Sequence, residues 1–230
     1  MPQLTPELIA AFRRLDTCSV SNAIETFDCR LRNEGFADAT LRCLFDDLPP
    51  VVGRAVTARI HCSAPPPVGH TYPDRTDWWS YILKVPPPRI VVVEDADPYP
   101  GTGAFVGEVH AAILQALGCV ACVTSGSVRD LTAIHASGFH CFAASPAVSH
   151  AYAHVIDFGG RVTVGGLGIA SGEVVYADRH GVLTIPDDIL DQIPAVADRS
   201  REAEQGILRL CRSNGFSLDT LRALVQEHAE

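Results

Sequence analysis

The chain has 230 residues, 47% of them apolar, with a formal net charge of −9 and a mean hydropathy of +0.14. That size and apolar share suit one domain with a sizeable core, or one domain carrying a helical appendage. The acidic balance argues against a nucleic-acid backbone as partner, because such binders carry a basic footprint.

No apolar run approaches the roughly 20 residues that cross a bilayer. Met1 to Glu7 also lacks the basic-then-apolar pattern of a secretory leader. The expectation is a cytoplasmic protein with neither a membrane nor a nucleic acid as partner. Lys84 is the sole lysine, which leaves little room for the Schiff-base amine of lysine aldolases and pyridoxal enzymes. The 8 cysteines are scattered. Cys119 and Cys122 form one C-x-x-C inside an apolar stretch, and without a second pair they read as small buried hydrophobes rather than a zinc site.

In chain order, Thr5-Pro6-Glu7 is a cap followed by proline, opening a helix over 8–15. Thr17 or Ser19 caps a second helix over 20–27. Residues 51–62 alternate as a strand, 65–77 are irregular and unusually aromatic, with Tyr72, Trp78 and Trp79 nearby, and 78–85 suit a short helix. Residues 89–94 form a continuous apolar run, as expected of a strand covered on both faces. Val106, Val109, Ile113 and Leu117 then mark one helical face, with Gly118 as its C-terminal cap. A strand over 119–124, a turn at Ser125-Gly126-Ser127, a helix to Ser137 and a strand over 139–143 follow. These strand–helix–strand units imply a parallel layer with right-handed crossovers. Short strands over 161–164, 173–177 and 182–185 should pair antiparallel, and helical sequence fills the rest with a break at Asn214-Gly215. The reading is a mixed α/β sheet in a domain over 1–190, with N-terminal helices, and a helical C-terminal tail over 191–230.

Two segments carry candidate chemistry. Gly126-Ser127-Val128-Arg129-Asp130 lies between a strand and a helix, the crevice where open α/β sheets bind ligands. A guanidinium beside a carboxylate there suits an anionic substrate and a divalent cation. The same letters also fit a capping box, Ser127-x-x-Asp130. Gly107-Glu108-Val109-His110 opens the preceding helix, where free amides suit a carboxylate ligand. Glu108 could equally be a surface charge that favours the helix dipole. Neighbouring parallel strands place both helix starts at one sheet edge, so the side chains of Glu108, Arg129 and Asp130 can converge. Gly101-Thr102-Gly103 lies too far from the preceding strand to form a dinucleotide turn. His150 and His154 have i, i+4 spacing on a possible helix but no evident third ligand.

Glu108, twenty residues, then Arg129-Asp130, with Asp157-Phe158-Gly159-Gly160 and the stretch from Ser171 to Asp178, resembles the metal-dependent 4-hydroxy-4-methyl-2-oxoglutarate / 4-carboxy-4-hydroxy-2-oxoadipate aldolases. That family shares a fold with the regulator of ribonuclease activity A. The resemblance covers roughly residues 50–190. It implies a layered β/β/α domain, of the swivelling phosphohistidine-like kind, assembled as a homotrimer or hexamer.

It also implies roles. Gly107, Glu108, Val109 and His110 would bind substrate, largely through backbone amides. Arg129 would bind the 2-oxo acid and stabilise the enolate. Asp130 would hold Mg²⁺ or Mn²⁺, and Glu108 would orient a catalytic water. The expected reaction is retro-aldol cleavage of a 4-hydroxy-2-oxo acid to pyruvate and a second oxo acid, with oxaloacetate decarboxylation beside it. The stretch 70–79 departs from the family's usual Gly-Asp-Asn region. The competing reading is a non-catalytic regulator, relatives of that kind keeping the arginine but lacking the aspartate after it.

Overall fold

The computed structural model describes residues 2–68 and 75–227. Helix α1 (Pro6–Phe12) starts where proline fixes the first turn, and the Thr5 side chain accepts from Leu8 N. Helix α2 (Thr17–Glu25) is capped by Asp16, whose Oδ1 accepts from Ser19 N at 2.7 Å, and not by Thr17 or Ser19. Thr17 is instead drawn inward. Its N–H and hydroxyl both donate to buried Asp178, locking the helix onto the sheet.

After the short β1 (Arg42–Cys43) comes β2 (Val51–His61), then α3 (Arg75–Ile82) and β3 (Arg89–Asp95). Residues 70–74 of the 70–79 stretch lie outside the described residues. The chain continues through β4 (Ala104–Val106), α4 (Glu108–Ala116), β5 (Cys119–Val128), α5 (Leu131–Ala136) and β6 (His140–Pro146). Then follow β7 (His154–Phe158), β8 (Val162–Val164), β9 (Leu167–Ile169), β10 (Val174–Asp178) and β11 (Gly181–Ile185). A 3₁₀ turn, Asp187–Ile189, leads into α6 (Ile193–Cys211) and α7 (Leu218–Glu227).

The main sheet runs in the order β1-β6-β5-β3-β2-β10-β11, with β4 added to β5 and β7 to β2. Its centre, β6-β5-β3-β2, is parallel, while β1, β7, β10 and β11 pair antiparallel. Alternating residues explain the layers. Val91 and Val93 join Trp78 and Ile82 of α3, Ala111 and Leu114 of α4 and Ile134 of α5 on one face. Ile90 and Val92 face the β8–β9 hairpin through Val162, Val164, Leu167 and Ile169 on the other. The result is hairpin, sheet and helices in three layers. Leu114 is fully buried, so its truncation to alanine should cost about 2–5 kcal/mol and loosen the helix that opens at Glu108.

A third cluster joins α1 and α2 to β10, β11 and the start of the tail, where Ile193 and Ala197 are buried. Beyond it α6, α7 and the connection between them expose Leu208, Phe216, Leu218 and Val225. No helix of the described residues is long and apolar enough to cross a membrane.

Candidate active site

The site exists because β5 does not stop where its letters suggest. Ser125-Gly126-Ser127 reads as a turn, yet the strand runs on to Val128. Past a bulge, β4 pairs with its end (Ala104 with Ser127, Val106 with Val128), and β6 flanks the other side. Ladder bonds on both edges override local preference. Val106 is accordingly a strand residue and not part of α4, whose buried residues are His110, Ala111 and Leu114, with Val109 turned outward.

Because Val106 and Val128 are paired, the chain leaves the sheet at one point in both strands. Arg129 N donates to Val106 O at 3.0 Å, and α4 and α5 start side by side. The two helix starts thus meet at one sheet edge, as the spacing predicts. The side chains brought together there are those of Arg129 and Asp130, against Gly107, and the Glu108 side chain does not join them in the cavity lining. Ser127 is no cap. Its hydroxyl donates to Gly101 O and contacts Ser145 Oγ, both at 3.0 Å, pinning the loop before β4. Asp130 takes the N-cap position of α5 in the left-handed conformation (φ 57°, ψ 39°) and caps nothing in its own helix. Its Oδ2 accepts instead from Glu108 N, the first amide of α4, at 3.0 Å. Arg129 Nε lies 3.6 Å from the same oxygen. A Cβ on Gly107 would sit 2.6 Å from that oxygen and 3.1 Å from Arg129 Nε, so only glycine leaves the carboxylate where it is. A left-handed non-glycine residue costs roughly 1–2 kcal/mol, and such strain gathers where function demands it.

These residues face a cavity of about 650 Å³. Gly107, Val109, His110, Arg129 and Asp130 line it; Glu108, exposed at the first turn of α4, does not. The His110 ring is a pillar of the wall. It is 6% exposed, its Nδ1 lies 3.0 Å from Phe105 O, and its Nε2 accepts from Trp79 Nε1 at 3.2 Å. His150 and His154 are not on a helix, since one sits in a turn and the other opens β7, but both line the cavity. The aromatic content around Trp79 is visible in the sequence, but nothing in the spacing joins Trp79 to Phe105 and Tyr152 as one wall.

The donor set at Asp130 suits a hard divalent cation. Its side chain is 41% exposed, one carboxylate oxygen is held by an amide, and no thiolate lines the cavity among the described residues. A second group of possible ligands, Cys62, Asp95 and Asp97, brings its ligand atoms within 4.8 Å of one another in the interior. The sequence reading did not single it out. Its carboxylates are already occupied: Asp97 takes bonds from Cys62 N, Ser63 N, Ser63 Oγ and His61, and Asp95 takes bonds from Asp97 N and Gly101 N. Burial raises the Asp95 pKa; at Asp97 burial also pushes up, but these hydrogen bonds prevail and lower it. The cluster ties down the loop after β3. Cys119 and Cys122 are buried, and burial raises both thiols, Cys119 to about 12, as befits packing residues.

The profile of the RraA-like family, described as Aldolase/RraA, matches residues 17–184. The chain belongs to the RraA-like family. Similar solved structures agree on the fold of this RraA-like chain. An uncharacterized protein from Pseudomonas syringae pv. tomato str. DC3000 is 18% identical over 97% of each chain, with a TM-score of 0.71. A structure described as novel cellulases from microbes associated with the gut ecosystem is 19% identical, covering 90% of this chain and 89% of that one at a TM-score of 0.71. Streptomyces coelicolor RraAS2, described as an unusual member of the RNase ES inhibitor RraA protein family, is 20% identical. It covers 89% of this chain and 97% of its own, with a TM-score of 0.67. No curated protein sequence matches the chain. At such identities the fold is what is shared, and activity rests on the site.

Proposed function

We propose that this RraA-like chain is a divalent-metal-dependent lyase that cleaves a 4-hydroxy-2-oxo acid to pyruvate and a second oxo compound. The observation that carries the reading is the carboxylate of Asp130. It is turned away from its own helix and held beside Arg129 at the edge of a cavity. Asp130 would hold Mg²⁺ or Mn²⁺, whose charge when bound draws electrons from the 2-oxo group.

Arg129 binds the substrate carboxylate through its planar fork and stabilises the negative charge that grows on the 2-oxo oxygen. The Val109 and His110 amides have no acceptor within α4 and add donors at the same end. Glu108 does not line the cavity, so its carboxylate works through a water that takes the 4-hydroxyl proton. Oxaloacetate can lose CO₂ through the same enolate without that base, which makes decarboxylation a companion activity. The exposed apolar residues of α6 and α7 support a homo-oligomer, a trimer or a dimer of trimers.

A lactate-dehydrogenase-coupled assay over a panel of 4-hydroxy-2-oxo acids tests the reading. Pyruvate should appear with Mg²⁺ or Mn²⁺ and stop with EDTA. The second reading, a non-catalytic ribonuclease regulator, is favoured by the description of the Streptomyces relative. Inhibition of an RNase E-type enzyme without pyruvate release would establish it instead.

A further inference from the structure

A second cavity, of about 490 Å³, shares no lining residue with the first. Its size is that of a small-molecule site. Arg13 and Arg14 just past α1, Arg179 in the β10–β11 turn and Arg201 on α6 line it, with His180 beside them. All four arginines are exposed, and among the described residues none of them forms an ion pair. Arg14 reaches only back to Ala10 O, at 3.4 Å. Elsewhere arginines are held, Arg54 by Asp187, Arg59 by Asp157, Arg161 by Glu173 and Arg89 by backbone carbonyls. In a chain of net charge −9, four guanidiniums without a counter-ion around one cavity are a local reversal of sign.

Three carboxylates share the lining, and each is engaged with other partners. Asp178 is 4% exposed and accepts from Thr17 N, Thr17 Oγ1 and His180 N. Asp47 meets the His135 ring with both oxygens at 2.9 Å. Asp16 caps α2 through Ser19 N. Burial pushes the Asp16 carboxyl up, yet the Ser19 bonds and the charges of His180 and Arg201 prevail and hold it below its ordinary value. Those two cations therefore face one spot. The fold also fixes the backbones that carry them. Asp178 pairs with Gly181 across a turn whose tip is Arg179-His180, and the bonds to Asp178 from Thr17 and His180 lock that turn. Arg201 lies one helical turn beyond Ala197, which is buried in the cluster with α1 and α2.

A guanidinium fork matches the oxygens of one phosphate. Four such forks around one cavity match an anion with several charges close together. The negative charge of the rest of the chain repels a long polyanion and leaves a short one favoured. Leu15, Leu48, Pro49 and Pro50 add apolar lining beside the charges. We propose that the cavity lined by Arg13, Arg14, Arg179 and Arg201 is a second ligand site, for a nucleoside di- or triphosphate. The phosphates pair with the guanidiniums, and the apolar lining takes the sugar and base. Binding there changes no covalent bond, and it stands apart from the lyase reading.

The test is calorimetry on the full chain, in buffer free of divalent ions, with ATP, ADP, tripolyphosphate, inorganic phosphate and a single-stranded RNA oligonucleotide. ATP and ADP should bind at one site per chain, tripolyphosphate more weakly for want of a base, and inorganic phosphate most weakly. Added NaCl should weaken each of them. Arg179→Ser with Arg201→Ser should raise the ATP dissociation constant by about tenfold or more, the scale of losing charge-assisted bonds. Arg209→Ser with Arg212→Ser makes the same change of net charge at the far end of α6, outside the cavity, and should leave the constant within about twofold. Thermal melts of both double variants check that each is folded. Tripolyphosphate or inorganic phosphate binding as tightly as ATP overturns the nucleotide assignment. RNA binding more tightly than ATP, equal losses in the two folded double variants, or no ATP binding by the wild type overturns the site. A chain that releases no pyruvate would leave this proposal untouched.

Discussion

Gly107→Ala isolates the site from the fold. The Gly107 backbone is extended (φ −127°, ψ −172°), a conformation alanine adopts without strain, so the substitution acts through its Cβ alone. That atom would meet Asp130 Oδ2 at 2.6 Å and Arg129 Nε at 3.1 Å. Relief to an ordinary contact moves the carboxylate by roughly 0.6–0.8 Å and strains its bond to Glu108 N. Displacements approaching an ångström in a reacting constellation cost on the order of 10²-fold, so kcat/KM for pyruvate release should fall about 30- to 100-fold. Both groups that must move are half-exposed side-chain ends, and stability should suffer little. Alanine is a poorer N-cap than glycine by about 0.5–1 kcal/mol, a melting-temperature drop of roughly 2–4 °C in a chain this long. The Mg²⁺ concentration for half-maximal rate should rise with the displacement. The coupled assay and a thermal melt on one preparation decide the matter. Activity within twofold of wild type would refute the claim that Asp130's position matters to the chemistry. A melting temperature lowered by more than about 10 °C would show that Gly107 serves the fold.

Three further outcomes are expected. Arg129→Ala should lower kcat/KM by about 10²–10³-fold, with Arg129→Lys rescuing only part because an ammonium lacks the bidentate fork; near-wild-type kinetics for both would remove the site. EDTA should abolish turnover and either Mg²⁺ or Mn²⁺ should restore it, so full activity in chelated buffer would rule out the metal. His140 is 1% exposed, and burial lowers its pKa to about 4. A depressed histidine pKa leaves stability intact above the unfolded value near 6.5 and removes it as pH falls toward 4. Denaturant melts at pH 7 and 4.5 should therefore show His140→Phe escaping about 2–3 kcal/mol of the wild type's acid loss, and parallel losses would contradict the buried neutral ring.

The parallel core was legible because both of its signals are local. The β3 run is apolar at every position from Ile90 to Val93, and the structure buries all four. Gly118 and Gly138 end α4 and α5 in the left-handed conformation (φ +75° and +73°) that their positions after each helix require. Strand β5 was less so. Ser125-Gly126-Ser127 has turn composition, and what keeps it extended is a neighbour on each edge, one of them β4, a strand of three residues with no periodicity of its own. The same pairing moved Val106 out of the helix.

The letters around Arg129 left two readings open because both uses of the segment want the same thing, an acceptor at the start of a helix. Backbone conformation separates them. An N-cap residue is extended so that its side chain can fold back on its own amides, as Asp16 does at ψ 165°. Asp130, at ψ 39°, has its carboxylate on the neighbouring helix instead. The capping energy is not lost but moved to α4, whose own N-cap, Gly107, has no side chain to offer. This exchange binds the two segments into one unit. Gly107 must be small for Asp130 to reach Glu108 N, and Asp130 must leave its own helix to do so. The arrangement therefore predicts that Asp130→Asn, which keeps an oxygen acceptor, costs less stability than Asp130→Ala, while both lose the negative charge a cation needs. Equal melting temperatures for the two variants would show that the bond across to α4 contributes nothing.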